Sequence, residues 1–199
     1  MKKIIFATTN EGKMDEIREI LKNLDVQLLS LKDAGIHIDI EENGVTFEEN
    51  AIIKAKTIME LTGEMVLADD SGIEVDYMDK APGVYSARFL GEDTPYSIKN
   101  QYIIDKLADA KGEERSARFV CIIACAYPDG TIITKKGVVE GYIADKICGS
   151  HGFGYDPIFY IPEFGCTTAE MPPEEKNEIS HRSIALNAMR DVIVKHIEA

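Results

Sequence analysis

A chain of 199 residues, 45% hydrophobic and 29% charged, is long enough to bury a real core and is not composed like a disordered polymer. The length favours one domain over 1–199. A net charge of -13 argues against a nucleic-acid polymer as partner, but it leaves room for a small anion held by a few lysines and arginines with a divalent cation beside them. No run approaches the roughly 20 apolar residues of a membrane span. The amino terminus passes straight into a strand without a signal-peptide apolar region, so no membrane partner and a cytoplasmic location are expected.

Lys3-Ile4-Ile5-Phe6-Ala7 reads as a buried strand, and Ile17, Ile20, Leu21 and Leu24 follow at helical spacing. Between them lie Thr8, Thr9, Asn10, Glu11, Gly12 and Lys13, a strand-to-helix loop rich in hydroxyl and amide groups. A helix start offers unpaired N–H groups and a partial positive charge, and Lys13 adds a full one, so the loop suits a phosphate. It lacks Walker A spacing, and a plain polar turn is the competing reading.

An acidic, irregular stretch from Asp33 to Val45 carries Glu41 and Glu42. Thr46 and Glu49 then have capping-box spacing, and Ala51, Ile52, Ala55, Ile58 and Met59 predict one face of a helix closed by Gly63. Met65 to Ala68 predicts a second buried strand ending at Asp69-Asp70-Ser71-Gly72, which would also make a good turn. Neighbours on a strand point to opposite faces, so only one aspartate is expected to face a given cleft.

A Gly/Pro-punctuated segment from Ala81 to Phe89 precedes a helix through Ile98, Tyr102, Ile103 and Leu107. Arg118 to Tyr127 and Thr131 to Ala144 flank Pro128-Asp129-Gly130 as an antiparallel pair. Cys121 and Cys125 sit in the first of these strands, about 13 Å apart if extended, too far for one metal. With Cys148 and Cys166 they make no disulfide framework, and buried free thiols are expected.

Gly149 to Pro157 interleaves glycines with Phe153 and Tyr155, a mobile backbone carrying flat surfaces on which a base could stack. The alternative is a tight loop whose aromatic rings return to the core. A Pro/Glu-rich stretch follows. Lys176, His181 and Arg182 place three cationic donors at the start of a C-terminal helix whose face is read through Ile184, Ala188, Val192 and Ile193. Helices and strands mix without strict alternation, which predicts a mixed α/β (α+β) fold on a mixed sheet. A phosphate loop, hard carboxylates suited to Mg2+, a stacking loop and a donor cluster complement one another as a nucleoside triphosphate requires.

Six motifs in order carry a resemblance: T-T-N-x-G-K at Thr8–Lys13, G-x-T-F-x-E-N-A at Gly44–Ala51, A-D-D-S-G at Ala68–Gly72, P-G-x-Y-S-A-R at Pro82–Arg88, G-F-G-Y-D-P at Gly152–Pro157 and I-S-H-R at Ile179–Arg182. Together they resemble the inosine triphosphate pyrophosphatase family, also called dITP/XTP diphosphatases. The resemblance implies a long twisted mixed sheet flanked by helices, two lobes around a central active-site cleft, and a homodimer. It implies Mg2+-dependent hydrolysis of non-standard purine nucleoside triphosphates (ITP, dITP, XTP) to the monophosphate and pyrophosphate, a cleansing of the nucleotide pool that keeps these bases out of DNA and RNA.

Carried over by position, Thr8, Thr9, Asn10, Glu11, Gly12 and Lys13 hold the triphosphate. Asp70 is general base and metal contact, and catalysis is shared with Lys13. Ser71 touches substrate, and Phe153, Gly154, Tyr155, Asp156, Lys176, His181 and Arg182 surround the nucleoside. Glu41 or Glu42 supplies a second metal carboxylate. The alternatives are a pyrophosphatase for other modified nucleotides and a non-catalytic nucleotide-binding regulator.

Overall fold

The computed structural model describes residues 2–198. The elements run β1 (Lys2–Phe6), α1 (Glu11–Leu21), β2 (Val26–Ser30), α2 (Phe47–Thr62), β3 (Met65–Val75), α3 (Tyr96–Lys106), β4 (Ser116–Ala126), β5 (Ile132–Ile143), β6 (Phe159–Ile161), β7 (Cys166–Thr167), α4 (Pro173–Ile179) and α5 (His181–Glu198). Among the described residues the strands form one seven-stranded sheet in the order β2-β1-β3-β4-β5-β6-β7.

The sheet is mixed, as the irregular alternation of elements predicts. β1 runs parallel to both β2 and β3, with Ile4 opposite Leu28 on one side and Met65 on the other. Parallel neighbours need a crossover, and α1 and α2 supply them. β6 is antiparallel to β5 and β7. β4 and β5 are joined by the expected turn, in which Tyr127 N–H donates to Thr131 C=O and Gly130 N–H to Tyr127 C=O, both at 2.9 Å.

The chain divides into two compact units. The first holds the described residues up to Asp70, Cys121–Gly137 and those from His181 on; the second holds Ser71–Val120 and Val138–Ser180. β3, β4 and β5 each contribute residues to both. The first unit's core joins Ile4 and Phe6 of β1, Ile17 of α1, Leu67 of β3, Ile123 of β4 and Met189 of α5. The second unit's core joins Ile73, Ile103, Phe119, Tyr155 and Phe159. Cys121 and Cys125 are buried free thiols, and burial pushes each up to about 12, so both are inert.

Two expectations need correction, and two elements went unread. The strand through Met65 does not stop in a turn at Asp69-Asp70-Ser71-Gly72; β3 continues through those residues to Val75. β2 and α4 were not legible, the one because Val26–Ser30 shows no clean alternation, the other because prolines and glutamates dominate it. The buried face of α5 carries Arg182, Ala185, Leu186, Met189 and Ile193, while Ile184 is exposed. It turns inward a polar side chain that finds a partner there, and a reading of apolar spacing alone passes over it. The expected helix α3 does the same: its buried face carries Lys99 and Asn100 with Ile103 and Ile104, while Ile98 and Tyr102 are exposed.

Candidate active site

The first unit gathers a polar centre at the ends of β1 and β3. After β1 the loop Thr8-Thr9-Asn10 opens α1, with Asn10 as its N-cap: Oδ1 accepts from Lys13 N–H at 3.1 Å, and Thr8 Oγ1 accepts from Asn10 N–H at 3.2 Å. Those two loop N–H groups are therefore satisfied within the loop itself. Thr9, Asn10, Glu11 and Gly12 are exposed and Thr8 is half-buried. Lys13 turns its ammonium onto Asp69, 3.0 Å from Oδ1 and 2.9 Å from Oδ2.

Asp69 is 1% exposed and also receives Arg182 Nη2 at 3.3 Å; Arg182 Nη1 donates to Glu16. Burial alone would raise the Asp69 carboxyl, but Lys13, Arg182 and Lys54 together hold it well below the usual carboxylate range. Arg182 is itself 2% exposed. Buried ion pairs are weak evidence for stability, because desolvation takes back most of what attraction supplies, so a core carrying this many of them points to function.

Asp70 faces a different set, as strand alternation predicts. Its Oδ1 lies 3.6 Å from Lys54 Nζ, which donates to Glu42 Oε2 at 2.9 Å. Burial raises the Asp70 carboxyl above its ordinary value; Glu42 and Asp69 add to that and Lys54 opposes it. Burial would lower Lys54, but the carboxylates of Asp70, Asp69 and Glu42 raise it overall.

The Gly44–Ala51 motif builds this corner. Thr46 and Glu49 form the capping box of α2, and Val45 N–H donates to Glu49 Oε2 at 2.7 Å. Gly44 N–H donates to the buried Asn50 Oδ1 at 2.8 Å, and a Cβ at Gly44 would lie 2.6 Å from that oxygen, so only glycine lets the acidic segment fold back so closely. Glu42 is thereby carried to Lys54, while Glu41 remains exposed.

Among the described residues no three His, Cys, Asp or Glu side chains gather into a metal cage. The donor set nevertheless fits a hard divalent cation. Glu42 and Asp70 converge on one cation already, the Lys54 ammonium, and magnesium typically takes one or two carboxylates and leaves its other positions to water and phosphate.

The second unit holds the Gly/aromatic loop. Its two rings part company: Tyr155 is buried in the core, whereas Phe153 is 37% exposed with Lys176 Nζ 5.0 Å from its ring centroid. Asp156 is buried beneath them and accepts from Phe153 N–H at 2.8 Å, Lys176 Nζ at 2.7 Å and Thr168 Oγ1 at 2.9 Å. Gly152 has φ +73°, and a Cβ there would meet Asp156 Oδ2 at 2.1 Å. Gly154 C=O accepts from Asn100 Nδ2 at 3.1 Å. Ser71 follows Asp70 in β3 and is half-buried.

The cationic cluster at the start of the C-terminal helix needs correction. Lys176 stands on α4 and pairs with Asp156, whereas the buried His181 and Arg182 open α5, with Arg182 on Asp69 and Glu16. Sequence reasoning missed Lys54, Glu16 and Asn100. For Lys54 a signal existed: it falls between Ala51 and Ile58 on the inward stripe of α2, where an unpaired lysine would not be tolerated.

A model of the Ham1 family matches residues 4–192 of this chain. A Clostridium perfringens protein named dITP/XTP pyrophosphatase is 47% identical, with 96% of this chain and 97% of that protein covered. A Listeria monocytogenes protein of the same name is 44% identical, with 100% and 98% covered. Among solved structures, a HAM1 protein from Coxiella burnetii has TM-score 0.90 and 40% identity, with 98% of this chain and 100% of that one covered. A nucleoside-triphosphatase described also as a dITP/XTP pyrophosphatase, from Mycobacterium abscessus, has TM-score 0.76 and 39% identity over 94% and 98%.

Proposed function

Because this chain belongs to the Ham1 family over nearly its whole length, we propose that it is a nucleoside triphosphate pyrophosphatase that hydrolyses ITP, dITP and XTP to the monophosphate and pyrophosphate, clearing them from the nucleotide pool. The single observation that carries the reading is the convergence of Glu42 and Asp70 on Lys54, beside the Lys13–Asp69–Arg182 set. It gives a buried, charge-rich centre of the kind phosphoryl chemistry needs.

Thr8–Lys13 take the triphosphate, and Lys13 supports the charge that develops on it; loss of such a preorganised contact costs about 10²-fold or more. Asp70 accepts the proton of the attacking water, and Ser71 touches substrate. Glu42 and Asp70 would hold a magnesium ion, which when bound supplies neutralisation of phosphate charge. The exposed position of Glu41 favours Glu42 for that role.

Phe153, Gly154, Tyr155, Asp156, Lys176, His181 and Arg182 serve the nucleoside. His181 or Arg182 would supply the N–H donor to a 6-oxo group, since the two carboxylate contacts of Arg182 use only part of its five donors. A 6-amino group offers that donor no acceptor, and a site built on one buried hydrogen bond rejects its mismatch by about 10⁴.

The chain acts as one functional domain, a reading supported by three strands that run through both units. A cytoplasmic homodimer is the expected setting. Among the described residues no helix is long and apolar enough to cross a membrane.

The test is product analysis with ITP, dITP, XTP, GTP and ATP, with and without magnesium. Monophosphate and pyrophosphate from the first three, only with the metal, is the expected result. Orthophosphate and diphosphate would overturn the assignment, and nucleotide binding without turnover would make the chain a regulator.

A further inference from the structure

Asn100 is 2% exposed in α3 and half satisfied: Nδ2 donates to Gly154 C=O at 3.1 Å, while Oδ1 has no hydrogen-bond partner among the described residues. Leaving a buried amide oxygen unpaired costs about 1–3 kcal/mol, and an apolar side chain would avoid that cost. The orientation is fixed by chemistry, since the opposite amide flip would set two oxygens against each other. The side chain is thus retained for its donor end, and that donor has one target, the carbonyl between Phe153 and Tyr155.

A second anchor holds the same loop. The Tyr155 hydroxyl donates to Ser86 C=O at 2.7 Å, and Ser86 Oγ accepts from Ile73 N–H at 3.0 Å and donates to Gly83 C=O at 2.6 Å. Tyr96 closes the arrangement, its ring edge-to-face on Tyr155 at 5.2 Å and 3.7 Å from where a Gly154 Cβ would stand. Lys99, next to Asn100, donates to Ala87 C=O at 2.6 Å, so consecutive residues of α3 tie down both the Ser86 segment and the Gly154 loop.

We propose that Asn100 is a positioning residue for nucleoside recognition: by holding Gly154 C=O it fixes the backbone that presents Phe153 and turns Phe153 N–H onto Asp156. The proposal rests on the pyrophosphatase reading above. Asn100 acts through the loop and needs no contact with the nucleotide. A glycine-rich loop released from this anchor keeps its residues but loses their placement, and a misplacement of about 1 Å can cost up to 10²-fold.

The test is Asn100→Ala, which removes both the donor and the orphan oxygen without overpacking the site. Its thermal midpoint should fall by no more than a few degrees. KM for dITP and XTP should rise about tenfold, kcat should fall less than about threefold, and amide exchange at 152–156 should accelerate. Inhibition by tripolyphosphate, which has no base to place, should be unchanged.

An unaltered KM, or tripolyphosphate inhibition weakened as much as KM is raised, would overturn the proposal. If Asn100→Ala does not fold, Asn100→Asp carries the test by keeping the outline of the side chain and replacing the donor with an acceptor: KM raised against unchanged tripolyphosphate inhibition supports the positioning role of Asn100, and unaltered KM overturns it. Wild-type protein that turned over none of these nucleotides would overturn the underlying reading, and the proposal with it.

Discussion

The polar centre of the first unit and the Gly/aromatic loop of the second are built by opposite means. The centre is made of side-chain charges: Lys13 and Arg182 set against Asp69, Arg182 also against Glu16, and Lys54 against both Glu42 and Asp70. The loop is made of backbone, with Phe153 N–H and Gly154 C=O tied to Asp156 and Asn100, and with glycine where a side chain would collide. Charges placed in a low-dielectric interior act strongly on a developing phosphate charge. Backbone anchoring shapes a surface, and its failure costs placement before it costs stability.

The difference can be broken most visibly at Asp70. Asp70→Asn should lower kcat by about 10²–10⁴ while nucleotide binding and the thermal midpoint persist, measured by steady-state kinetics and calorimetry. An isosteric change that left turnover intact would remove Asp70 from the chemistry. Next comes Arg182→Met. It leaves the buried Asp69 and the half-buried Glu16 without their guanidinium and should cost about 3–5 kcal/mol in denaturant unfolding, far more than any single loop change.

Gly152→Ala tests the loop from the other side. The positive φ costs about 1 kcal/mol, and the collision with Asp156 displaces the carboxylate that Phe153 and Lys176 share, so KM should rise more than stability falls. A change in stability alone would mean that the loop only packs.

The smallest effect lies away from both regions, at Asp76. Hydrogen bonds from Arg118, with Lys80 and Ser116, hold its carboxyl well below the ordinary range. Its contribution is therefore complete above the unfolded value of about 3.9 and is lost as pH falls toward the folded value. Asp76→Asn should lower stability modestly at neutral pH, where the contribution of this half-buried group is present but screened, and should flatten the acid limb of the profile, so that the difference from wild type vanishes as pH falls below about 4.

What could be read in advance follows the same division. Local chemistry was legible: Thr46 caps α2, Gly63 closes it in the left-handed conformation, and Asp129-Gly130 turns the β4–β5 pair. The partners of buried charges were not, since Arg182 meets Glu16 and Lys13 meets Asp69 across long stretches of chain that periodicity does not connect. The same blindness misassigned the inward face of α5, where Arg182 is buried and Ile184 is exposed. The loop motif was visible as Gly152–Pro157, yet only the structure separates the buried Tyr155 from the exposed Phe153, because three-dimensional packing decides which ring a glycine-rich turn returns to the core.

The most direct test of the division of labour is to run dITP hydrolysis in heavy-oxygen water and locate the label by mass spectrometry. If the polar centre directs water onto the α-phosphorus and releases pyrophosphate intact, the label appears in the monophosphate alone. Label in pyrophosphate or in orthophosphate would place the attack elsewhere on the chain of phosphates and contradict the account.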